Sequence, residues 1–408
     1  MARVAKKSTK SRRWRWILVL LAMGPVLVLG LWVAIHRIPW LGPLFADTAR
    51  SVVGPGPIAD LEDAAYGMED RWNRFWRKDQ MPEAYWDVPA TKSSAPSASA
   101  GNHLPKLPPF HVEDVPPVHK SWSAPGDGTW VPVEDPQHPG DSPRMFKTLL
   151  HPDRNRSWSA VTVVAADLRQ VRLNLVAGRW EPKATEKEGL SYKRTGLVPE
   201  SAHDGLLAAF NGGFKLEHGH YGMRIDGVTL VKPRSKVCTI AMHADDRLEI
   251  GSWERFEEQD RELRWWRQTP FCMWERGKLH VGLKFGENTH WGATVDGDTV
   301  IRRSAIGVSE DGNVVFVGIG DSTTARAIAV AMEHAGAHEV AQLDVNWSFP
   351  KFVTFARRDG AGELVASPIC KGFEFEEGDF VRIPYARDFF YLSRKSSEEI
   401  ARAKGESP

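Results

Sequence analysis

Residues 314–344 read VVFVGIGDSTTARAIAVAMEHAGAHEVAQLD, which is an apolar run, a helical stretch and a second apolar run. Ser322, Thr323 and Thr324 are candidates to cap the amino end of the helix, and Gly336 suits its carboxyl end. The stretch therefore predicts a strand, a helix and a strand. A crossover of this length favours two parallel strands, whose carboxyl ends lie on one edge of a sheet, where ligands gather.

Polar residues follow three of the predicted strands. Asp321 stands at the end of the first strand of this unit and Asp344 at the end of the second. A third apolar run, 206–210, ends at Asn211, and we expect it to lie beside the other two in the same direction. Each of these residues also suits an ordinary turn or helix cap. If the three ends meet, they form one polar site, in which the glycines after Asn211 let a ligand approach the backbone.

The remainder of the chain favours antiparallel sheet. From Trp130 onward short apolar runs alternate with turns, and several turns carry Asp-Gly, as at Asp226, Asp296 and Asp311. The predicted fold class is α+β. It consists of a large mixed, mostly antiparallel β-sheet domain over 129–395, with few helices and one β-α-β unit, preceded by a single transmembrane helix.

Residues 17–35 are predicted to be the transmembrane anchor. They contain no charged side chain over 19 positions, about the length of helix that crosses a bilayer core of roughly 30 Å. The basic segment 1–16, with seven Lys or Arg and no acid, is expected to stay cytoplasmic. We therefore expect a single-pass membrane protein whose main domain is extracytoplasmic, either periplasmic or at the cell surface. A cleaved signal peptide is the alternative, but no small-x-small cleavage site follows the apolar run.

Two segments separate this anchor from the main domain. Residues 36–89 are expected to form a membrane-proximal helical segment with an aromatic stripe, and residues 90–128 form a linker rich in Pro, Ala and Ser. A polar tail, 396–408, ends the chain. The formal net charge is +1, which gives no general attraction to nucleic acid. Three cysteines permit one disulfide with one thiol left over, and the pairing stays open.

Five segments of the main domain occur in a characteristic order: FNGGF, YGMRIDGV, RRSAIGVSEDGNVVFVGIGDS, the capped helix and VAQLDVN. In that order they resemble the phosphodiester glycosidase domain family, over roughly residues 160–350. The animal member of that family, the uncovering enzyme, removes N-acetylglucosamine from a phosphodiester on mannose, and bacterial relatives occur in cell-envelope and exopolysaccharide proteins. The resemblance implies a hydrolase of a sugar–phosphate diester and a large mixed β-sheet with few helices.

The match to the motifs of this family is incomplete. Its Asn-Gly-Gly-Phe is matched at 211–214 and its Arg-Thr-Ala-Ile-Gly at 303–307, with serine replacing threonine. Its Asp-Gly-Arg is absent, because Gly-Asp-Ser stands at 320–322. Its Leu-Asp-Gly-Gly-Gly-Ser-Ser keeps Leu-Asp at 343–344 and one serine, but Val-Asn-Trp stands at 345–347 in place of the glycines. Both departures fall at the expected site, so either the substrate differs or the domain binds without cleaving.

Cleavage of a sugar–phosphate diester at the anomeric carbon needs carboxylates and a cation for the phosphate. Asp344 and Asp321 are the candidate catalytic carboxylates, and Arg303 is the candidate phosphate donor, because guanidinium forks onto phosphate oxygens. An indole at Trp347 could stack on a sugar face. The candidate substrate-binding residues are Asn211, Gly212, Gly213, Lys215, His218, His220, Arg224, Asn346 and Trp347.

No cofactor is required by the sequence, and no metal site is predicted, because His218 and His220 lack the carboxylate or cysteine partners of a metal site. The main hypothesis is a membrane-anchored extracytoplasmic hydrolase that cleaves a sugar–phosphate phosphodiester glycosidic bond in an envelope glycan. Its partners would be a phosphorylated glycan or polysaccharide and the membrane, and not nucleic acid. The alternative is a non-catalytic envelope glycan-binding protein on the same scaffold. A weaker alternative is a metal-dependent hydrolase that uses the histidines.

Overall fold

The computed structural model describes residues 23–24, 30, 55–88, 109–285, 291, 300–345, 349–360, 362–396 and 398–400. The chain divides into two compact units, Met1–Leu61 and Glu62–Pro408, and the strands of the described residues all lie in the second unit. The α-helices described are α1 (Pro55–Trp76), α2 (Val281–Phe285) and α3 (Ala325–His334).

The strands of the described residues, in chain order, are β1 (Val131–Pro132), β2 (Met145–Leu150), β3 (Val161–Asp167), β4 (Val171–Val176), β5 (Leu206–Asn211), β6 (Met223–Ile225), β7 (Val228–Val231), β8 (Cys238–His243), β9 (Leu248–Ser252), β10 (Leu263–Thr269), β11 (Trp274–Glu275), β12 (Lys278–Leu279), β13 (Ile301–Val308), β14 (Val314–Thr323), β15 (Glu339–Gln342), β16 (Phe352–Arg357), β17 (Leu364–Pro368) and β18 (Phe389–Arg394).

These strands form three sheets. The largest has eight strands in the order β1-β2-β3-β14-β13-β15-β11-β12. A five-stranded sheet, β17-β16-β5-β18-β4, is called the β5 sheet here, and another, β7-β6-β10-β8-β9, is called the β10 sheet. Hydrogen-bonded neighbours among the named strands pair antiparallel, as in β13 with β14 and in β5 with β18. The architecture is therefore mostly antiparallel β-sheet with few helices.

The eight-stranded sheet is apolar on both faces. Helix α3 covers one face through Ile328 and Met332. On the other face Ile306 packs in one cluster with Phe210 of the β5 sheet and Ile240 of the β10 sheet. Burial on both faces explains why β3 and β14 read as nearly continuous apolar runs, without the alternation of a sheet that has one wet face.

Strand β14, helix α3 and strand β15 form the strand, helix and strand predicted from 314–344. The hydroxyl of Thr324 caps α3 by accepting a hydrogen bond from the amide of Ala327 at 3.0 Å. Both strands pair antiparallel with β13, so they run parallel to each other with β13 between them. The expectation that 206–210 lies beside them in one sheet is wrong. Strand β5 lies between β16 and β18 in a separate sheet, because its apolar side chains pack against the eight-stranded sheet face to face.

The predicted membrane span requires a correction. Among the described residues, no helix is both long and apolar enough to cross a bilayer. Helix α1 is about 33 Å long at 1.5 Å per residue, but its sequence carries acidic and basic side chains from Asp60 to Arg74, which are costly in a bilayer core. The single transmembrane helix over 17–35, the membrane contact and the single-pass arrangement with an extracytoplasmic main domain are therefore not supported. All but three residues of 17–35 lie outside the described residues.

Residues 109–128, which the sequence assigns to the linker, pack against the β-sheet domain. Phe110 is buried in the same cluster as α3, and Val115 packs against that cluster. The amide of Val115 donates to the carbonyl of Gly128 at 3.0 Å. Asp127 is buried as well. This part of the chain therefore contributes to the folded unit.

One disulfide joins two of the three cysteines. Cys238, the first residue of β8, is bonded to Cys272, which follows β10. Cys370 is a buried free thiol, and burial raises its pKa to about 11. The sequence permitted one disulfide and one thiol without indicating which cysteines would pair.

Candidate functional site

Asp344 follows β15 where the eight-stranded sheet meets the β5 sheet. Its carboxylate forms an ion pair with Arg387, and both side chains are almost inaccessible to solvent. The guanidinium of Arg387 also lies 3.4 Å from the ring centroid of Phe349. The main chain of Asp344 is held on two sides, because its amide donates to the carbonyl of Gly212 at 2.9 Å and its carbonyl accepts from Ser304 Oγ at 3.0 Å. Asp344 is therefore a firmly placed carboxylate whose charge is offset by one arginine.

Asn211 ties the β5 sheet to the eight-stranded sheet. Its side-chain amide donates to Ser304 Oγ at 2.8 Å, and its Oδ1 accepts from the amide of Lys351 at 3.2 Å. The residue is 1% exposed, so these partners take the place of water. The Asn-Gly-Gly turn therefore does meet Asp344, although it arrives from a different sheet.

The glycines of this turn leave room for Asp388. The amide of Gly212 donates to Asp388 O at 2.9 Å, and the amide of Gly213 donates to Asp388 Oδ2 at 2.8 Å. A Cβ atom on Gly212 would lie 2.3 Å from Asp388 Oδ2, and one on Gly213 would lie 2.7 Å from Arg267 Cζ. No side chain fits at such distances. Close internal packing thus explains why this turn needs glycine.

Asp388 is in turn held by Arg267 of β10. Arg267 Nε lies 2.9 Å from Asp388 Oδ2, and Nη2 lies 3.1 Å from Oδ1. The same guanidinium donates to the carbonyls of Phe214 at 2.6 Å and Tyr221 at 3.1 Å. The Asn-Gly-Gly-Phe stretch is therefore clamped between the two five-stranded sheets.

Asp321, near the end of β14, borders an open cavity. Its carboxylate accepts a hydrogen bond from Arg302 Nε at 3.1 Å, and Arg302 also pairs with Glu374 and lies over the ring of Phe373. Burial raises the pKa of Asp321, while the charge of Arg302 opposes that shift. Since burial is the larger effect, Asp321 keeps its proton to higher pH than an ordinary aspartate. A carboxyl group of this kind can act as a proton donor.

Arg302 and Ser304 relate the two aspartates in space. They are two residues apart on β13, where the pairing with β14 is irregular between Ile301 and Arg303. Arg302 binds the carboxylate of Asp321, and Ser304 binds the main chain of Asp344. Strand β13 lies between β14, which contains Asp321, and β15, which Asp344 follows. Both carboxylates therefore belong to one region of the molecule.

The cavity beside Asp321 has a volume of about 320 Å³. One wall is formed by 69–85, from the end of α1 and the residues that follow it. Trp158 and Tyr85 supply aromatic surface, and Lys371 supplies a positive charge. Aromatic faces suit sugar rings and cations suit phosphate, so the lining has the chemistry that a sugar phosphate requires.

Arg303, the candidate phosphate donor, is directed into the interior. Its side chain is fully buried. Nε donates to the carbonyl of Thr323 at 3.1 Å, and Nη1 donates to the carbonyl of Trp291 at 2.6 Å and to Gln342 Oε1 at 3.0 Å. These hydrogen bonds connect β13 to its neighbouring strands and satisfy carbonyl groups that burial would otherwise leave without partners.

Four other candidate residues lie on the stretch of chain from the end of β5 to β6. Lys215 precedes a short helical turn and His218 is its last residue, and the side-chain nitrogen of each lies 3.9 Å from Glu217 Oε1. His220 is exposed, and Arg224 of β6 donates to the carbonyl of Leu263 in the neighbouring strand β10 at 3.3 Å. Over the described part of the chain, no group of three or more His, Cys, Asp or Glu is arranged to hold a metal ion. Asn346 and Trp347 lie outside the described residues.

Comparisons with known proteins add a distant likeness. No model of a protein family matches the sequence, and no curated protein matches it. The catalytic domain of zebrafish N-acetylglucosamine-1-phosphodiester alpha-N-acetylglucosaminidase, auto-inhibited by its pro-peptide, is 15% identical, with a TM-score of 0.39 over 66% of this chain and 89% of that chain. A protein from Synechocystis is 10% identical, with a TM-score of 0.33 over 58% of this chain and 59% of that chain. An exported protein from Burkholderia pseudomallei is also 10% identical, with a TM-score of 0.31 over 58% of this chain and 74% of that chain. Likeness at this level concerns overall shape, and the chemistry has to be read from the site.

Three arginines of the site were not found from the sequence. Arg387 stands in the stretch PYARDFF before an apolar strand, and Arg267 interrupts the apolar stretch LRWWRQT. A charged residue inside an apolar run indicates a buried partner, because an unpaired charge is costly there. That signal was available for Arg267 and Arg302, but it does not name the partner.

Proposed function

We propose that this protein is a hydrolase that cleaves a sugar–phosphate diester at the anomeric carbon, with Asp321 and Asp344 as its two carboxylates. The placement of these aspartates carries the proposal. Arg302 binds one and Arg387 binds the other, beside the same end of β13, and Asp321 borders a cavity large enough for a sugar phosphate. The order of motifs that resembles the phosphodiester glycosidase family supports the same chemistry.

In this reaction the two carboxylates take different parts. Asp321 is the proton donor to the departing phosphate, since burial favours its protonated form. Asp344, ionised beside Arg387, provides negative charge for the oxocarbenium-like transition state. Lys371 binds the phosphate, and the ring of Trp158 packs on the sugar. The substrate class is a phosphorylated glycan or polysaccharide.

A second candidate is a protein that binds such a glycan without cleaving it. The observation that favours it is the neutralisation of Asp344, which is 1% exposed and paired with Arg387. In addition, Arg303 donates to main-chain carbonyls within the sheet, so its role in the family motif is structural in this chain.

Hydrolysis of a panel of sugar-1-phosphodiesters by the full chain separates these two functions. Release of sugar and phosphomonoester is measured for the parent and for Asp321→Asn and Asp344→Asn. Glu333→Gln, an exposed position on α3, is the matched control. Turnover by the parent and the control, lost in both aspartate variants, supports the hydrolase. Binding of the diester without turnover in any protein identifies a binder.

A further inference from the structure

A buried histidine–aspartate pair, His151 and Asp127, is separate from the two aspartates of the proposed hydrolysis. His151 Nδ1 is 2.9 Å from both carboxylate oxygens of Asp127. Each side chain is only 1% exposed. A carboxylate in this position holds the Nδ1 proton of the imidazole and fixes the orientation of the ring. The remaining nitrogen, Nε2, has no hydrogen-bond partner among the described residues, so it is available to exchange a proton.

The pair opens on the cavity that contains Asp321. His151 lines this cavity together with Ser157 and Trp158. The hydroxyl of Ser157 is buried and makes no hydrogen bond within the described part of the chain. Buried hydroxyl groups are normally satisfied, so this oxygen is an unsatisfied polar atom within a residue that lines the same cavity. A histidine that served only to join two loops would not need to line a cavity.

We propose that His151, oriented by Asp127, is the group that accepts the proton of the attacking water in the hydrolysis proposed above. The proposal rests on that function. The water oxygen bonds to the anomeric carbon, and its proton passes to His151 Nε2. The bond between the anomeric carbon and the phosphate oxygen breaks, and the electron pair leaves with the phosphomonoester. Asp321 lies on the same cavity and protonates the departing oxygen, so one side chain takes a proton while another gives one.

The charge on His151 depends on its surroundings. Asp127 is its direct partner and stabilises the imidazolium that forms when the proton arrives. The other titratable or charged groups on the cavity wall are Glu69, Arg77, Glu83, Tyr85, Asp321 and Lys371. Three carboxyl groups and two basic side chains nearly balance, so Asp127 is the decisive neighbour for the imidazole.

The test uses the full chain and a sugar-1-phosphodiester that the parent hydrolyses. His151→Gln is expected to lower kcat by about 10²–10⁴-fold with little change in KM, the usual size of a proton-transfer contribution. It should also remove the acidic limb of the pH profile of kcat. Asp127→Asn keeps the shape of the pair and is expected to lower kcat as well, because the amide disfavours the tautomer that the reaction needs.

His138→Gln is the matched control. His138 forms the same kind of contact, with Nδ1 3.1 Å from Asp135 Oδ2, but it is 36% exposed and does not line the cavity. Its replacement should leave both kcat and the pH profile unchanged. If His151→Gln keeps kcat within tenfold of the parent and has the same profile, the role of His151 is refuted while the hydrolase function stands. If the parent hydrolyses no diester, the function itself fails.

A measurement on the unaltered protein covers the case in which the variants do not fold. The titration of the His151 imidazole in the free protein, followed by NMR, should have the same midpoint as the acidic limb of kcat/KM, which reports ionisation of the free enzyme. Coincidence of the two midpoints supports His151 as the proton acceptor. A clear separation between them overturns the proposal without the use of any variant.

Discussion

Arg267 and Asp388 form a two-point ion pair in which neither side chain reaches solvent. Arg267 lies in β10 and Asp388 immediately precedes β18, so the pair joins the β10 sheet to the β5 sheet. The same carboxylate accepts the amide of Gly213. This ion pair, called the Arg267–Asp388 clamp here, therefore positions the Asn-Gly-Gly turn that contacts Asp344.

Removal of one partner of this clamp should be strongly destabilising. We expect Asp388→Ala to lower the free energy of unfolding by about 3–5 kcal/mol, because Arg267 is left as a buried charge without its counter-ion. Glu377→Ala breaks an exposed ion pair with Arg358 and should cost no more than about 1 kcal/mol. Urea denaturation of both variants measures the difference. Equal stability of the two variants would refute the view that the clamp holds the sheets together.

Gly212 should not tolerate even a methyl group. Gly212→Ala places a Cβ 2.3 Å from Asp388 Oδ2 and 2.6 Å from Asp388 O, and we expect a loss of about 3 kcal/mol, the upper part of the range for overpacking. Gly205→Ala is the control, because its Cβ would meet Arg394 only at 3.6 Å. Thermal denaturation compares them. A Gly212 variant as stable as the control would show that the turn can move away from Asp388.

Asp321 should make stability depend on pH. Its pKa is raised in the folded protein, chiefly by burial, so ionisation of the carboxyl group works against folding. The favourable contribution of the protonated form is complete below the unfolded pKa of about 3.8 and is lost as the pH rises through the folded pKa. Asp321→Asn should therefore be more stable than the parent at pH 7, with a difference that vanishes toward pH 3.

Unfolding curves of Asp321→Asn and the parent across this pH range provide the measurement. Glu310→Gln, at an exposed turn, is the control and should follow the parent at each pH. An Asn variant that is less stable than the parent at pH 7 would contradict the expected sign, and would mean that the bond to Arg302 outweighs the cost of burial.

The pairing and burial of the three cysteines predict how many thiols a reagent can label in the native, the unfolded and the unfolded and reduced protein. In the native protein no cysteine should react with a thiol reagent. Cys238 and Cys272 are bonded to each other, and Cys370 is a buried thiol with a pKa of about 11. Unfolding without reductant should expose one thiol, and unfolding with reductant should expose three. Loss of the disulfide in Cys238→Ser should cost about 2–4 kcal/mol. Cys370→Ser controls for the change from cysteine to serine. Rapid reaction of the native protein would place Cys370 at the surface.

Much of the local structure could be predicted from the residues. The strand, helix and strand of 314–344 are encoded by apolar runs and by Thr324 at the cap of α3. Asp-Gly turns predicted antiparallel neighbours, and β13 and β14 are joined by such a turn at Asp311. These features depend on residues a few positions apart, which is the range over which backbone propensity and side-chain pattern act.

The membrane span shows the limit of a composition argument. An uncharged run of sufficient length predicted an anchor over 17–35, but no helix of the described residues is long and apolar enough to cross a bilayer, and most of that run lies outside them. Length and apolarity must coincide in one helix before a span can be assigned.

By itself the sequence determined the strand, helix and strand of 314–344, and that Asn211, Asp321 and Asp344 stand near strand ends. Only the tertiary structure decided that β5 belongs to another sheet, that Arg387 pairs with Asp344, and that His151, held by Asp127, borders the cavity of Asp321. The physical reason is distance along the chain. An ion pair between residues 344 and 387 stabilises the folded chain only after strands far apart in sequence have packed, and no local pattern records which buried charges will meet.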